Sequence, residues 1–136
     1  MRRLVIFCAL LAACVTPAPA PPMGVALTCE AETAQECPPE GCRPGVGRRW
    51  QEALTLSLPA EGEIGRLCDN QGCRAARFLP TLTNALGWTA DVSVGPNWDD
   101  PLAELEIGSS RSSFRLRREV GAAERVWVGL CSPAGS

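Results

Sequence analysis

The sequence predicts an all-β domain, a small antiparallel meander closing as a barrel or sandwich and stapled by disulfides. Three observations predict it. Apolar and polar residues alternate at period two through much of the chain after Trp50, turn-forming clusters separate the alternating runs, and six cysteines follow an N-terminus that reads as an export signal. Period-two alternation marks strands with one wet face. Short strands at close turn spacing favour a meander that closes on itself.

Met1-Arg2-Arg3 is a short positive region, and Leu4 to Ala13 is an unbroken run of apolar or small residues. Ten such residues make the core of a signal peptide and fall well short of the roughly 20 needed to span a bilayer. Residues 1–13 are therefore expected to be a signal peptide. Leu11-Ala12-Ala13-Cys14 (LAAC) resembles the lipobox of bacterial lipoproteins. That resemblance implies lipidation of Cys14, which becomes the first mature residue, and a membrane partner reached through the lipid. The competing reading is cleavage after Ala18-Pro19-Ala20, but Pro21 would then follow the cut directly. Cys14 could also be one more small residue of the apolar core, like Cys8.

Residues 14–26 are expected to form the lipid anchor and a Pro-rich tether. Prolines dominate the stretch after Cys14, and at about 3.1 Å per residue an extended Val15–Pro22 would hold a domain roughly 25 Å from its anchor. Val15, rather than Asp, follows Cys14; by resemblance to Gram-negative lipoproteins this implies the periplasmic side of the outer membrane. A single β domain is expected over residues 27–136.

Cys29, Cys37, Cys42, Cys68, Cys73 and Cys131 remain after either cleavage. Six cysteines in an exported chain read as a disulfide framework. Zinc is the rival for two C-x4-C pairs, but structural zinc pairs run closer to C-x2-C and the chain has no His. No metal and no cofactor is expected. Fifteen pairings are possible, and turn geometry favours one. Cys68 and Cys73 flank Asp69-Asn70-Gln71-Gly72, and Cys37 and Cys42 flank Pro38-Pro39-Glu40-Gly41, both turn-forming sets. Each pair would clip a turn, leaving Cys29 and Cys131 to join the ends of the domain.

The expected strands run through Leu54–Leu58, Trp88–Val94, Ala103–Ile107, Phe114–Arg117 and Val126–Leu130. Leu56, Val92, Leu105, Leu116 and Val128 are placed inward, and Thr55, Asp91, Glu104 and Arg115 outward. Glu61-Gly62, Asp69–Gly72, Gly95-Pro96-Asn97, Gly108–Ser110 and Gly121 supply turns. Pro80 to Gly87 is ambiguous, because Phe78, Leu82 and Leu86 also fit helical spacing.

All thirteen basic residues are Arg. Without Arg2 and Arg3, eleven Arg oppose fifteen Asp and Glu, leaving a net charge near −4. That argues against nucleic acid, which wants a basic footprint. Arg111, Arg115, Arg117 and Arg118 cluster in sequence; Arg111, Arg115 and Arg117 are candidate anion-binding residues, because Arg grips carboxylates and phosphates bidentately. The plain alternative is a solvated strand face, and Arg48-Arg49-Trp50 reads the same way. Trp50, Trp88, Trp98 and Trp127 could floor a ligand groove.

No catalytic residue is expected. Neither His nor Tyr is present to assist a Ser or Cys nucleophile. Asp99-Asp100 reads as a turn, and Glu104 and Glu106 as solvent-facing alternation. The spacing Cys29-x7-Cys37-x4-Cys42 with the terminal "VWVGLC" (Val126 to Cys131) resembles small exported Cys-rich proteins of alphaproteobacteria, a resemblance that implies no activity. A looser likeness is to small β-barrel lipoproteins that inhibit lysozyme, whose Tyr-containing motifs are absent. The expected function is a non-enzymatic envelope lipoprotein that binds an envelope protein or cell-wall partner. A small envelope hydrolase using a carboxylate pair is the alternative.

If LAAC directs lipidation, Cys14→Ala abolishes lipid incorporation and leaves unprocessed or soluble protein. Intact-mass analysis checks this, and a mature chain beginning at Pro21 would end the idea.

Overall fold

The computed structural model describes residues 24–44 and 53–134. The signal peptide, Cys14, most of the tether and Arg48-Arg49-Trp50 lie outside them. Among the described residues the chain forms β1 (Leu27–Cys37), β2 (Arg43–Pro44), β3 (Thr55–Leu58), β4 (Ile64–Asp69), β5 (Gly72–Asn84), β6 (Gly87–Val94), β7 (Ala103–Gly108), β8 (Ser113–Val120) and β9 (Ala123–Pro133). Each of β3 to β8 pairs antiparallel with its successor, β1 joins β3, and β9 pairs back onto β1. Eight strands thus close into a barrel, with β2 a two-residue appendage on β1. Closure removes the free sheet edges that an open meander would expose.

Alternation fills the interior. Leu56, Leu58, Leu67, Phe78, Val92, Leu105, Ile107, Phe114 and Leu116 are all essentially buried in one cluster. The register brings them face to face, with Leu56 opposite Leu67, Phe78 opposite Val92, Leu105 opposite Leu116 and Ile107 opposite Phe114. Four of the five residues placed inward from sequence therefore point inward.

Val128 does not. It is 43% exposed, and Leu130 is 57% exposed, whereas Trp127 is buried against the core. Trp127 lies opposite Leu116 and Cys131 opposite Cys29, so the inward phase of β9 is Trp127, Gly129 and Cys131. Gly129 is required there. A Cβ at this position would lie 1.9 Å from the Glu30 carbonyl oxygen and 2.7 Å from Ala31 Cα. The β1–β9 register shifts between Ala31 and Thr33, beside this close approach. Bulges of this kind sharpen local bend and twist.

Pro80–Gly87 is strand and turn, with no helix. β5 continues to Asn84, and its register to β6 shifts between Pro80 and Leu82. A bulge is a position where a sheet tolerates proline. The extra residue also explains the misleading spacing: Phe78 points into the core, and the shift turns Leu82 outward to 57% exposure.

The six cysteines pair as turn geometry favours. Cys29–Cys131 and Cys68–Cys73 each join directly opposed residues, with Cα atoms 4.0 Å apart. Cys37–Cys42 closes the turn after β1, where the Gly41 N–H donates to the Pro38 carbonyl at 3.0 Å.

Two outcomes follow for chemical denaturation. Leu105→Ala costs about 2–5 kcal/mol and Val128→Ala less than about 0.5; equal midpoint shifts would contradict the assigned phase of β9. Removing Cys29–Cys131 costs about 4–5 kcal/mol and Cys68–Cys73 roughly 2, because loop-closure entropy grows with loop length.

Candidate functional site: an arginine-lined barrel mouth

Strand alternation carries charged residues inward at one end of the barrel. Leu67 and Asp69 share a phase on β4; Arg74, Ala76 and Phe78 share one on β5; Phe114, Leu116 and Arg118 share one on β8; Arg125 and Trp127 share one on β9. Pairing agrees, since Leu67 lies opposite Arg74 and Arg118 opposite Arg125. Asp69, Arg74, Arg118 and Arg125, at the ends of these phases, line a cavity of about 240 Å³ together with Leu67, Leu116 and Trp127. Its apolar lining includes Leu54, Leu67, Leu116 and Trp127, all buried, and Leu102 also lines it. Ala53 at the rim holds a φ of 46°, in the left-handed region, the kind of local strain that persists where surrounding structure imposes it.

The β4–β5 turn organises one side of the mouth. The Asp69 carboxylate accepts the Gln71 backbone N–H at 2.9 Å, an Asx-type turn, and accepts Arg74 Nη2 at 2.9 Å. The Cys68–Cys73 disulfide clips the same hairpin, so it fixes the two residues flanking that ion pair. Arg74 Nε is buried and makes no hydrogen bond among the described residues.

Across the mouth the electrostatics are unfavourable. Arg118 and Arg125 are directly opposed on neighbouring strands, an arrangement that destabilises a sheet when charges are alike. Burial, first, and then the positive charges of Arg125 and Arg74 push the Arg118 guanidinium below its ordinary range, with Asp69 opposing them. A guanidinium stays protonated at working pH, so a base with a lowered folded-state pKa subtracts stability throughout that range. Three guanidiniums and one carboxylate line this mouth in an otherwise acidic protein. Convergent Arg donors above an apolar floor, at the end of a barrel, are suited to hold an anion.

Of the arginine cluster singled out from sequence, Arg118 lines the mouth, whereas the three candidate anion-binding residues Arg111, Arg115 and Arg117 lie elsewhere. Arg115 is exposed on the outer wall. Arg117, also on that wall, is bonded to Glu104 and lies 3.7 Å from Glu124, and the hydrogen bond to Glu104 raises its pKa above the ordinary value. Arg111 occupies the β7–β8 turn at the opposite end of the barrel, with a φ of 59° and its N–H donating to the Gly108 carbonyl at 2.9 Å. The structure therefore separates Arg117 from its neighbour Arg118 by the barrel wall. Of the tryptophans described, Trp127 lines the mouth, Trp98 packs over Gly95, and Trp88 packs against the core.

Glu104 and Glu106 face outward, and Asp91, Glu104, Glu119 and Glu124 line a shallow outer groove together with Arg117. Among the described residues, no group of three or more Cys, Asp or Glu is placed to hold a metal ion. No family model, curated protein or solved structure matches the chain.

Neutralising Arg118 as Arg118→Met, which keeps an apolar stem, raises unfolding stability at low salt by about 0.2–1 kcal/mol. Added salt shrinks the gain, because screening already weakens the repulsion. A denaturant midpoint that falls would contradict the arrangement.

Proposed function

We propose that the protein is an exported, lipid-anchored, non-enzymatic binding module of a bacterial envelope, and that it holds a small anionic ligand in the arginine-lined mouth of its barrel. One observation carries the ligand reading: Arg118 opposes Arg125 on the inner face, with Arg74 beside them. Like charges gathered at a stability disadvantage are compensated when an anion enters, and such perturbed clusters favour functional sites. The LAAC sequence ending at Cys14 supports the anchor. Three disulfides suit the oxidising side of an envelope. The anchored chain would present the mouth to small solutes or to an anionic group on an envelope or cell-wall partner.

A carboxylate-pair hydrolase would draw on the outer groove of Asp91, Glu104, Glu119 and Glu124. Glu104 is already engaged by Arg117, which favours the binding reading.

Thermal unfolding in phosphate, sulfate and citrate, against chloride at matched ionic strength, tests this function. Multivalent anions should raise the midpoint of the wild-type chain and do so much less for Arg118→Met, because only the folded mouth binds them. Equal midpoints in all salts, or release of sugar from peptidoglycan by the purified protein, would overturn the proposal.

A further inference from the structure

We propose that the exposed apolar surface toward the end of the barrel opposite the mouth docks on a lipid bilayer, an inference that rests on the reading of Cys14 as a lipid anchor. Leu82 on β5, Leu86 in the β5–β6 turn and Val128 on β9 line one groove there, and half-buried Trp88 joins them. Gly87 and Gly108, directly opposed on β6 and β7, lie in the same groove and bring no side chain to it. Leu130, opposite Ser113 of that groove, extends the apolar surface. Leu86 is 85% exposed. At the mouth end, among the described residues, the exposed large apolar side chains are Trp98 and Val120, each only 36% exposed. Contiguous exposed apolar surface of this kind marks a contact with protein or membrane.

Where the chain enters the barrel decides between those partners. A Cβ on Gly24 would lie 3.8 Å from Arg111 Nη1. Arg111 sits in the β7–β8 turn between Gly108 and Ser113, both of which line the groove. The chain that leads back to Cys14 therefore departs beside this surface. Fully extended at about 3.3–3.6 Å per residue, residues 14–23 reach roughly 35 Å, so an anchored chain keeps this end near lipid and the mouth turned away. The tether also holds the surface at high effective concentration over the bilayer, which lowers the affinity that docking needs. Charge fits an interface without net charge. Glu106 and Arg115 oppose one another in the groove, and Arg111 and Glu30 border it, Glu30 lying opposite Leu130. Balanced signs leave no polybasic patch to seek anionic headgroups, and insertion of Leu82 and Leu86 carries the contact.

Tryptophan quenching in vesicles tests the inference on the mature, disulfide-intact chain as purified from cells. The chain is reconstituted into phosphatidylcholine vesicles with brominated acyl chains, against unbrominated vesicles, and intact mass of the same preparation reads whether Cys14 carries lipid. Brominated lipid is expected to quench the wild-type emission, and Trp88→Phe should remove most of that quenching. Leu82→Ser combined with Leu86→Ser should cut it at least twofold, whereas Val120→Ser at the mouth end should leave it unchanged. Near-UV circular dichroism establishes that each variant is folded. Added phosphatidylglycerol or salt should change nothing, because the surface is balanced in charge. Quenching that survives Trp88→Phe, whichever tryptophan carries it, would overturn the inference. A lipidated chain that is not quenched would overturn the docking and leave the anchor standing. If crosslinking then captured pairs of chains that the double Ser variant abolishes, the surface would belong to a second copy. A chain without lipid that stays in solution would overturn the anchor and the docking together.

Discussion

The seam where β1 meets β9 is the contact on which the rest of the structure depends. It joins the beginning of the barrel to its end, from Leu27 opposite Pro133 to Cys37 opposite Glu124. β1 brings little hydrophobic surface of its own, since its inward residues are Leu27, Cys29 and alanines. Backbone pairing, the Cys29–Cys131 bond and the close approach at Gly129 hold it in place instead. Without that seam the seven strands from β3 to β9 would form an open sheet with exposed edges and a core facing solvent.

Closure also creates the two environments on which the functional reading rests. On the outer wall, charges neutralise one another where water screens them, as in Arg117 with Glu104 and Glu124 and Arg77 with Glu63. On the inner wall the same alternation gathers Arg74, Arg118, Arg125 and Asp69 around a small cavity. The seam contributes directly to the site, because Arg125 lies on β9 opposite Glu36 of β1.

Much of this was legible in the sequence, and the parts that were not share a cause. Strands with large inward residues, such as Leu54–Leu58 and Ala103–Ile107, announced themselves by alternation, and the turn at Asp69–Gly72 announced the Cys68–Cys73 clip. β1, β4 and β5 were harder to read because their inward positions include Ala, Gly, Cys, Arg and Asp. β9 misled because Val126, Val128 and Leu130 make an apolar row, while the phase that faces inward contains a glycine and a cysteine demanded by the seam. The mouth was missed for the same reason. Arg118 follows the phase of Phe114 and Leu116, and Arg74 that of Ala76 and Phe78, so extending each apolar phase to its charged end would have found two of the three arginines. Arg125 needed the correct phase of β9, which only pairing with Leu116 and Cys29 supplies.

Native-state hydrogen exchange at the seam tests the closed-barrel account most directly. Amides of Thr28–Ala31 in β1 and Val126–Cys131 in β9 that bond across the seam should exchange only with global unfolding, at the same opening free energy as the central β6–β7 amides. Seam amides that exchange as fast as the exposed turns, while β6 and β7 stay protected, would contradict it: the barrel would be an open sheet, and the mouth would not exist as a site.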